Sequence, residues 1–147
     1  MVGVGRIAII CLTAVAMAAC LAPQNVEMVG VDMQSWSDVA TIEYNNGDTL
    51  AVRHLNIAIR YNDNFKEGVL PLKVAVTTPD ARYYEEEEIR LPITHPRTAL
   101  AVSTTESLPY RSSVVLSQKG EYIFAFTPLV EVRGVEAIGV DFREIAE

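Results

Sequence analysis

Cysteine is nearly missing from this sequence. Among 147 residues there are only Cys11 and Cys20. Cys11 lies inside an apolar leader, so removing the leader leaves one thiol and no internal disulfide can form. Histidine is as scarce, with His54 and His95 alone. A zinc site gathers three or four ligands, so no metal is expected. His54 reads as a solvated residue on the polar face of a strand, and His95 as a loop residue ahead of Pro96. No G-x-S-x-G elbow presents a serine nucleophile, and no glycine loop of the kind that cradles a cofactor can be read. With no nucleophile or base in a recognisable setting, no catalytic residue, no cofactor and no small-molecule substrate is expected.

Positive charge is the next shortage. The chain carries 12 Lys+Arg against 19 Asp+Glu, a net charge of -7. Phosphate contacts demand clustered Lys and Arg, so nucleic acid is excluded as a partner. Anionic lipid headgroups repel such a chain as well. Beyond Cys20 no apolar run approaches the ~20 residues of a membrane-spanning helix.

What is present begins at the N-terminus. Met1–Arg6 holds one positive charge, Ile7–Met17 is almost wholly apolar, and Ala18-Ala19 supplies small residues. That is the order of a secretory signal, too short to span a bilayer comfortably. Met17-Ala18-Ala19-Cys20 resembles a lipobox, with Met17 where Leu is more usual. Cleavage after residue 19 would leave Cys20 as the new N-terminus, and its thiol is the only side chain there able to carry a diacylglycerol thioether. The expected organisation is a signal peptide over 1–19, a lipidated tether over 20–25 and one domain over 26–147. Two or more acyl chains anchor a protein stably. The membrane partner is therefore reached through lipid on Cys20. No acidic cluster follows the cysteine, which points to an outer-membrane site facing the periplasm, with the cell surface as the other option.

Past the tether the pattern is β. Val39–Tyr44 alternates, and Asn45-Asn46-Gly47-Asp48 reads as a turn. In Leu50–Tyr61, Leu55, Ile57 and Ile59 share one face and His54, Asn56 and Arg60 the other. Period 2 is the mark of a strand with one face in a core. Leu70, Leu72, Val74 and Val76 repeat it, and Pro71 places that strand's start there or puts it on an edge. Arg82–Leu91 reads as a further strand. Thr94–Pro109 reads as a long crossing with one short strand over Ala99–Val102, followed by a strand over Tyr110–Leu116. Tyr122, Phe124 and Phe126 form the strongest core strand, and Ile138, Val140 and Phe142 close the domain. Seven or eight strands with no helical period predict an all-β antiparallel sandwich, with a small closed barrel as the rival.

Three features carry the candidate contacts. Glu85-Glu86-Glu87-Glu88 lacks the spaced Asp/Asn/Gly pattern of a calcium loop, and only alternate members of a strand can converge. It reads as a charged edge that blocks strand-to-strand aggregation. Tyr83 and Tyr84 stand beside it; one should face the core, and an exposed one favours an interface. Trp36 is either a core plug or a platform. The candidate partner-binding residues are thus Trp36, Tyr83, Tyr84, Glu86 and Glu88.

The chain also resembles the gliding-motility-associated lipoprotein family of the GldH type. The resemblance lies in the lipid cysteine, in Trp36 ahead of the first core strand, and in Ile57-Ala58-Ile59-Arg60-Tyr61-Asn62. It continues in Lys119-Gly120-Glu121-Tyr122-Ile123-Phe124 and in Val132–Val140. The loop after Tyr61 lacks the family's tyrosine-proline, and Thr94–Pro109 lacks its glycine-rich, tryptophan-containing stretch. The resemblance implies a lipoprotein associated with gliding and type IX secretion machinery, with no reaction attributed to it. It points to a structural or interaction component of the envelope with a protein partner. A lipid-anchored carbohydrate- or peptide-binding module is the alternative.

Overall fold

Alternating side chains leave each strand one apolar face, and two sheets laid face to face bury both sets at once. The computed structural model describes residues 25–96 and 102–145. The leader, Cys20 and the tether up to residue 24 lie outside them, as does most of the short strand expected over Ala99–Val102. Eight strands follow in order: β1 (Asn25–Gly30), β2 (Ala40–Asn46), β3 (Val52–Asn62), β4 (Val69–Thr77), β5 (Tyr84–Pro92), β6 (Ser103–Val115), β7 (Gly120–Pro128) and β8 (Val135–Glu144). They form two four-stranded antiparallel sheets, β1-β8-β3-β6 and β2-β7-β4-β5. The molecule is a sandwich and not a closed barrel.

The core sits between the sheets. Leu55, Ile57, Ile59, Leu72, Val74, Tyr122, Phe124, Phe126, Ile138 and Val140 are all buried, as their spacing predicts. Full burial of such a side chain contributes ~1.5–3 kcal/mol. Phe142 joins Tyr44 and Phe124, with ring centroids 4.3 and 5.9 Å away. One charged residue shares this interior. Arg53 has the parity of Leu55 and Ile57 and is buried with them. Its guanidinium donates to Tyr44 Oη at 2.6 Å and Asn46 Oδ1 at 2.9 Å, over the Phe142 ring. Asn46 in turn donates to the carbonyls of Leu116 and Gln118.

Several elements differ from expectation. β1 pairs with β8 from Asn25↔Phe142 to Gly30↔Ala137, so the domain begins where the tether was expected to end. Along Val26–Gly30 no clear alternation shows, because these residues are half-buried at most. Asn45 and Asn46 belong to β2 and not to the turn, held by pairing with Glu121 and Gly120. β4 is interior, between β7 and β5, and not on an edge. Pro71 is tolerated because the β4–β7 ladder starts only at Leu72↔Pro128, and Pro71 there serves as acceptor to Leu129. Thr94–Pro109 is not a crossing throughout. β6 runs 13 residues, straight through Pro109. It lies on a sheet edge, where a missing N–H can face outward.

The antiparallel order sorts the connections to two ends. The start of β1, the end of β8 and the turns 47–51, 78–83 and 116–119 meet at one end. The connections 31–39, 63–68 and 129–134 meet at the other.

Candidate functional site

β5 and β6 are edge strands of different sheets, and they come together along one side of the sandwich. Side-chain direction on β5 alternates, so its glutamates divide. Glu85 and Glu87 reach across to β6, where Arg111 Nη2 donates to Glu85 Oε1 at 3.1 Å and to Glu87 Oε1 at 2.6 Å. Glu86 turns the other way, 3.6 Å from Lys73 Nζ and accepting from the Tyr84 hydroxyl. The alternation expected of the acidic run is present, but it converges on an arginine.

Neighbours on a strand should not reach the same partner, yet Tyr110 also donates to Glu87. A bulge explains this. Leu55 pairs with Arg111 and Asn56 with Pro109, which leaves Tyr110 as an extra residue in β6. A second shift lies between Arg53 and Leu55, beside Ser113 with its φ of 56°. Bulges re-aim side chains, and this one turns Tyr110 and Arg111 together toward β5. The guanidinium stacks on the Tyr110 ring at 5.3 Å. The hydrogen bond from Tyr110 holds Glu87 below the usual carboxylate range, with Arg111 adding to it. Burial, then the bond to Glu87, pushes the Tyr110 hydroxyl up to about 12.

Behind this lattice lies a hollow of about 440 Å³. Its floor is apolar, with Val76, Val114, Leu116 and Phe124, and Tyr83, Gln118 and Arg111 stand around it. The volume falls within the ~300–1,000 Å³ range of small-molecule sites.

The expected contact residues are partly assembled here. Tyr83 and Tyr84 are 55% and 60% exposed, so neither faces the core. Tyr83 precedes the strand and lines the hollow, while Tyr84 sits on the outer face with Glu86. Glu88 is exposed on that face, in register with Lys73. Trp36 is not a surface residue. At 3% exposure it is a core plug, its indole donating to Asp38 O at 2.7 Å and its backbone bridged to Val132. Burial removes its ring from any docking surface. Cys20 lies outside the described residues. Arg111, Tyr110, Glu87 and the apolar floor were not anticipated. The sequence signal for them is slight: Pro109 inside an alternating run hints at a bulged edge, but not at which residues it turns.

The histidines stand apart from this site. His54 is half-buried on the outer face of β3. His95 packs against Tyr61 and Phe65 at the far end, in a cluster where Glu106 accepts from Tyr61 and Thr94. Among the described residues no group of three His, Cys, Asp or Glu could hold a metal ion, and no helix is long and apolar enough to cross a membrane. No protein-family model matches the chain, and neither does any curated protein.

Proposed function

We propose that the protein is a lipoprotein of the cell envelope, anchored through Cys20 and acting by binding a protein partner. Catalysis forms no part of this reading. The contact is the exposed outer face of β5. What supports it best is the placing of Tyr84, Glu86 and Glu88 together on a strand that, among the described residues, pairs with β4 alone. Exposed tyrosine is enriched at interfaces, and a strand with one free edge can accept an added strand. The acidic side chains select a basic partner and deter self-pairing. The signal-like leader, the cysteine after it and the GldH-type motifs support an envelope component of the gliding or type IX secretion kind, on the periplasmic face of the outer membrane. Those motifs occupy the end of β3, the start of β7 and β8 with its preceding turn.

The test is a pull-down of the lipidated protein from envelope fractions, comparing wild type with Glu86→Lys/Glu88→Lys. The expected result is a partner lost with the charge reversal while membrane association persists. A partner retained in full by the variant counts against this face, and Cys20→Ala protein still processed and pelleting with membranes counts against the anchor. A second reading, a ligand-binding module, is favoured by the hollow behind the β5–β6 lattice.

A further inference from the structure

The hollow and the anchor share one end of the molecule. β1 begins at Asn25 opposite Phe142, near the end of β8. Cys20 is five residues upstream. An extended chain covers ~3.3–3.6 Å per residue, so that end of the sandwich stands within about 17 Å of an anchored Cys20. Thr78, Tyr83, Leu116 and Gln118, which line the hollow, belong to the turns at this end. From β1 to β6 is three strand spacings, about 14 Å across the sheet. The tether is therefore too short to lift the hollow far from the bilayer.

Charge favours the same orientation. The turns at this end carry Asp48 and Asp80 against Arg82 and Lys119, and so are neutral. The far connections 31–39, 63–68 and 129–134 carry Asp32, Asp38, Asp63, Glu67 and Glu131 against Lys66 and Arg133, and the sequence joining β5 to β6 adds Arg97, which leaves an acidic excess. An anionic surface repels the far end and admits this one. The rim is apolar too. Leu50 is 85% exposed, Val52 pairs with Val115, and Arg53↔Glu144 brings Ile145 next in that row. Exposed apolar residues occur at the far end as well, at Met33, Val39, Val102, Leu129 and Val130, so the apolar rim does not separate the two ends and the acidic excess does.

We infer that the hollow between β5 and β6 takes one hydrocarbon chain of a lipid from the membrane that anchors the protein, with this end of the sandwich set against the bilayer. The inference rests on the anchoring through Cys20 proposed above. An alkyl chain asks for apolar walls, which Val76, Val114, Leu116 and Phe124 offer on the floor, while the polar side chains of Tyr83, Arg111 and Gln118 stand at its margin. Left open to water, those walls are costly; an apolar chain relieves that cost. For the chain itself the move from bilayer to hollow exchanges hydrocarbon for hydrocarbon, so the drying of these walls and the high local concentration of lipid beside the tether load the site.

The test uses the full lipidated protein on vesicles of phosphatidylethanolamine and phosphatidylglycerol, doped with a phospholipid whose acyl chain carries a photoactivatable group. After irradiation, mass spectrometry locates the label. It is expected on Tyr83 and residues 114–118, and is lost in Val114→Phe, which fills the floor. Because Val114→Phe can overpack the core, Val115→Asp at the rim serves as a second variant and is expected to abolish the label without unfolding. Label confined to 129–134 or to the outer face of β5, or unchanged in a folded variant, overturns the inference. A lipidated, vesicle-bound protein with no label in the hollow overturns it alone. An unmodified Cys20 and a protein that does not sediment with vesicles overturn the anchoring reading, and the inference with it.

Discussion

Single residues differ in how far their neighbours announce them. Phe124 belongs to an alternating aromatic series, and burial against Phe142 follows from its parity. Phe124→Ala should cost ~3–5 kcal/mol, read as a lowered midpoint in chemical denaturation at unchanged slope. Arg53 has core parity too, but charge argues against burial, so nothing local reveals that Tyr44 and Asn46 will receive it. Those partners come from β2, on the opposite sheet, and only tertiary structure supplies them. Asn46 serves three groups at once: the guanidinium and the carbonyls of Leu116 and Gln118. Asn46→Ala leaves them buried and unpaired, a loss of about 1–3 kcal/mol. Equilibrium unfolding of Asn46→Ala beside Asn46→Asp separates the roles, because Asp keeps an acceptor for Arg53 and loses both carbonyl contacts. If the two variants were equally stable to wild type, the buried network would contribute nothing.

At the scale of elements, strands with one apolar face were legible, and so were the edge strands β2 and β5; the edge strand β1 and the first half of the edge strand β6 were not. β2, β4 and β7 alternate because each has one face in the core, while the middle of β3 and of β8, inside the other sheet, is buried on both faces. β1 and β6 are the ends of their sheet, with looser burial and, in β6, two register shifts that break parity. The candidate site lies at such a break. Its acidic half could be read from the glutamate run, while its Arg111 half depends on a bulge that no periodicity shows. β1 illustrates how weakly an edge element can be held. Among the described residues it forms a ladder with β8 alone, in which Gly139 pairs with Met28. A Cβ on Gly139 would fall 1.9 Å from the Glu27 carbonyl oxygen and 2.7 Å from Met28 Cα, both backbone atoms. Gly139→Ala should therefore release β1 while the rest of the sandwich persists. Hydrogen exchange is the measure: amides of 25–30 lose protection and those of β3 and β7 keep theirs. Uniform loss across both sheets would mean that β1 is integral to one cooperative unit.

For the whole molecule, the β5–β6 lattice closes one side of the sandwich through side chains alone, and its chemistry sets a pH window. Glu87 has a folded-state pKa below the carboxylate value of 4.5, because Tyr110 and Arg111 donate to it. A depressed pKa means that the unfolded chain binds the proton first on acidification. The stabilisation is thus complete above about 4.5 and lost as pH falls through the lower, folded value. Tyr110 works in the opposite sense. Burial and the Glu87 carboxylate raise it from 10.0 to about 12, so its contribution is complete below 10.0 and disappears as pH climbs toward 12. One contact therefore shapes both limbs of the stability profile. Tyr61 and Glu106 form a similar pair at the far end, with Tyr61 raised by burial and Glu106 lowered because the bonds from Thr94 and Tyr61 outweigh its burial. The discriminating variant is Tyr110→Phe, which keeps the ring under Arg111 and deletes the hydroxyl. Its stability, measured by denaturant midpoint from pH 3 to 12, should fall less steeply than wild type at both extremes. The far-end pair preserves part of the residual slope, and Tyr61→Phe then reduces it further. If the single variant ran parallel to wild type on both limbs, the Tyr110–Glu87 bond would not persist in solution, and the bonds of Arg111 to Glu85 and Glu87 would be left to hold β6 to β5 across the hollow.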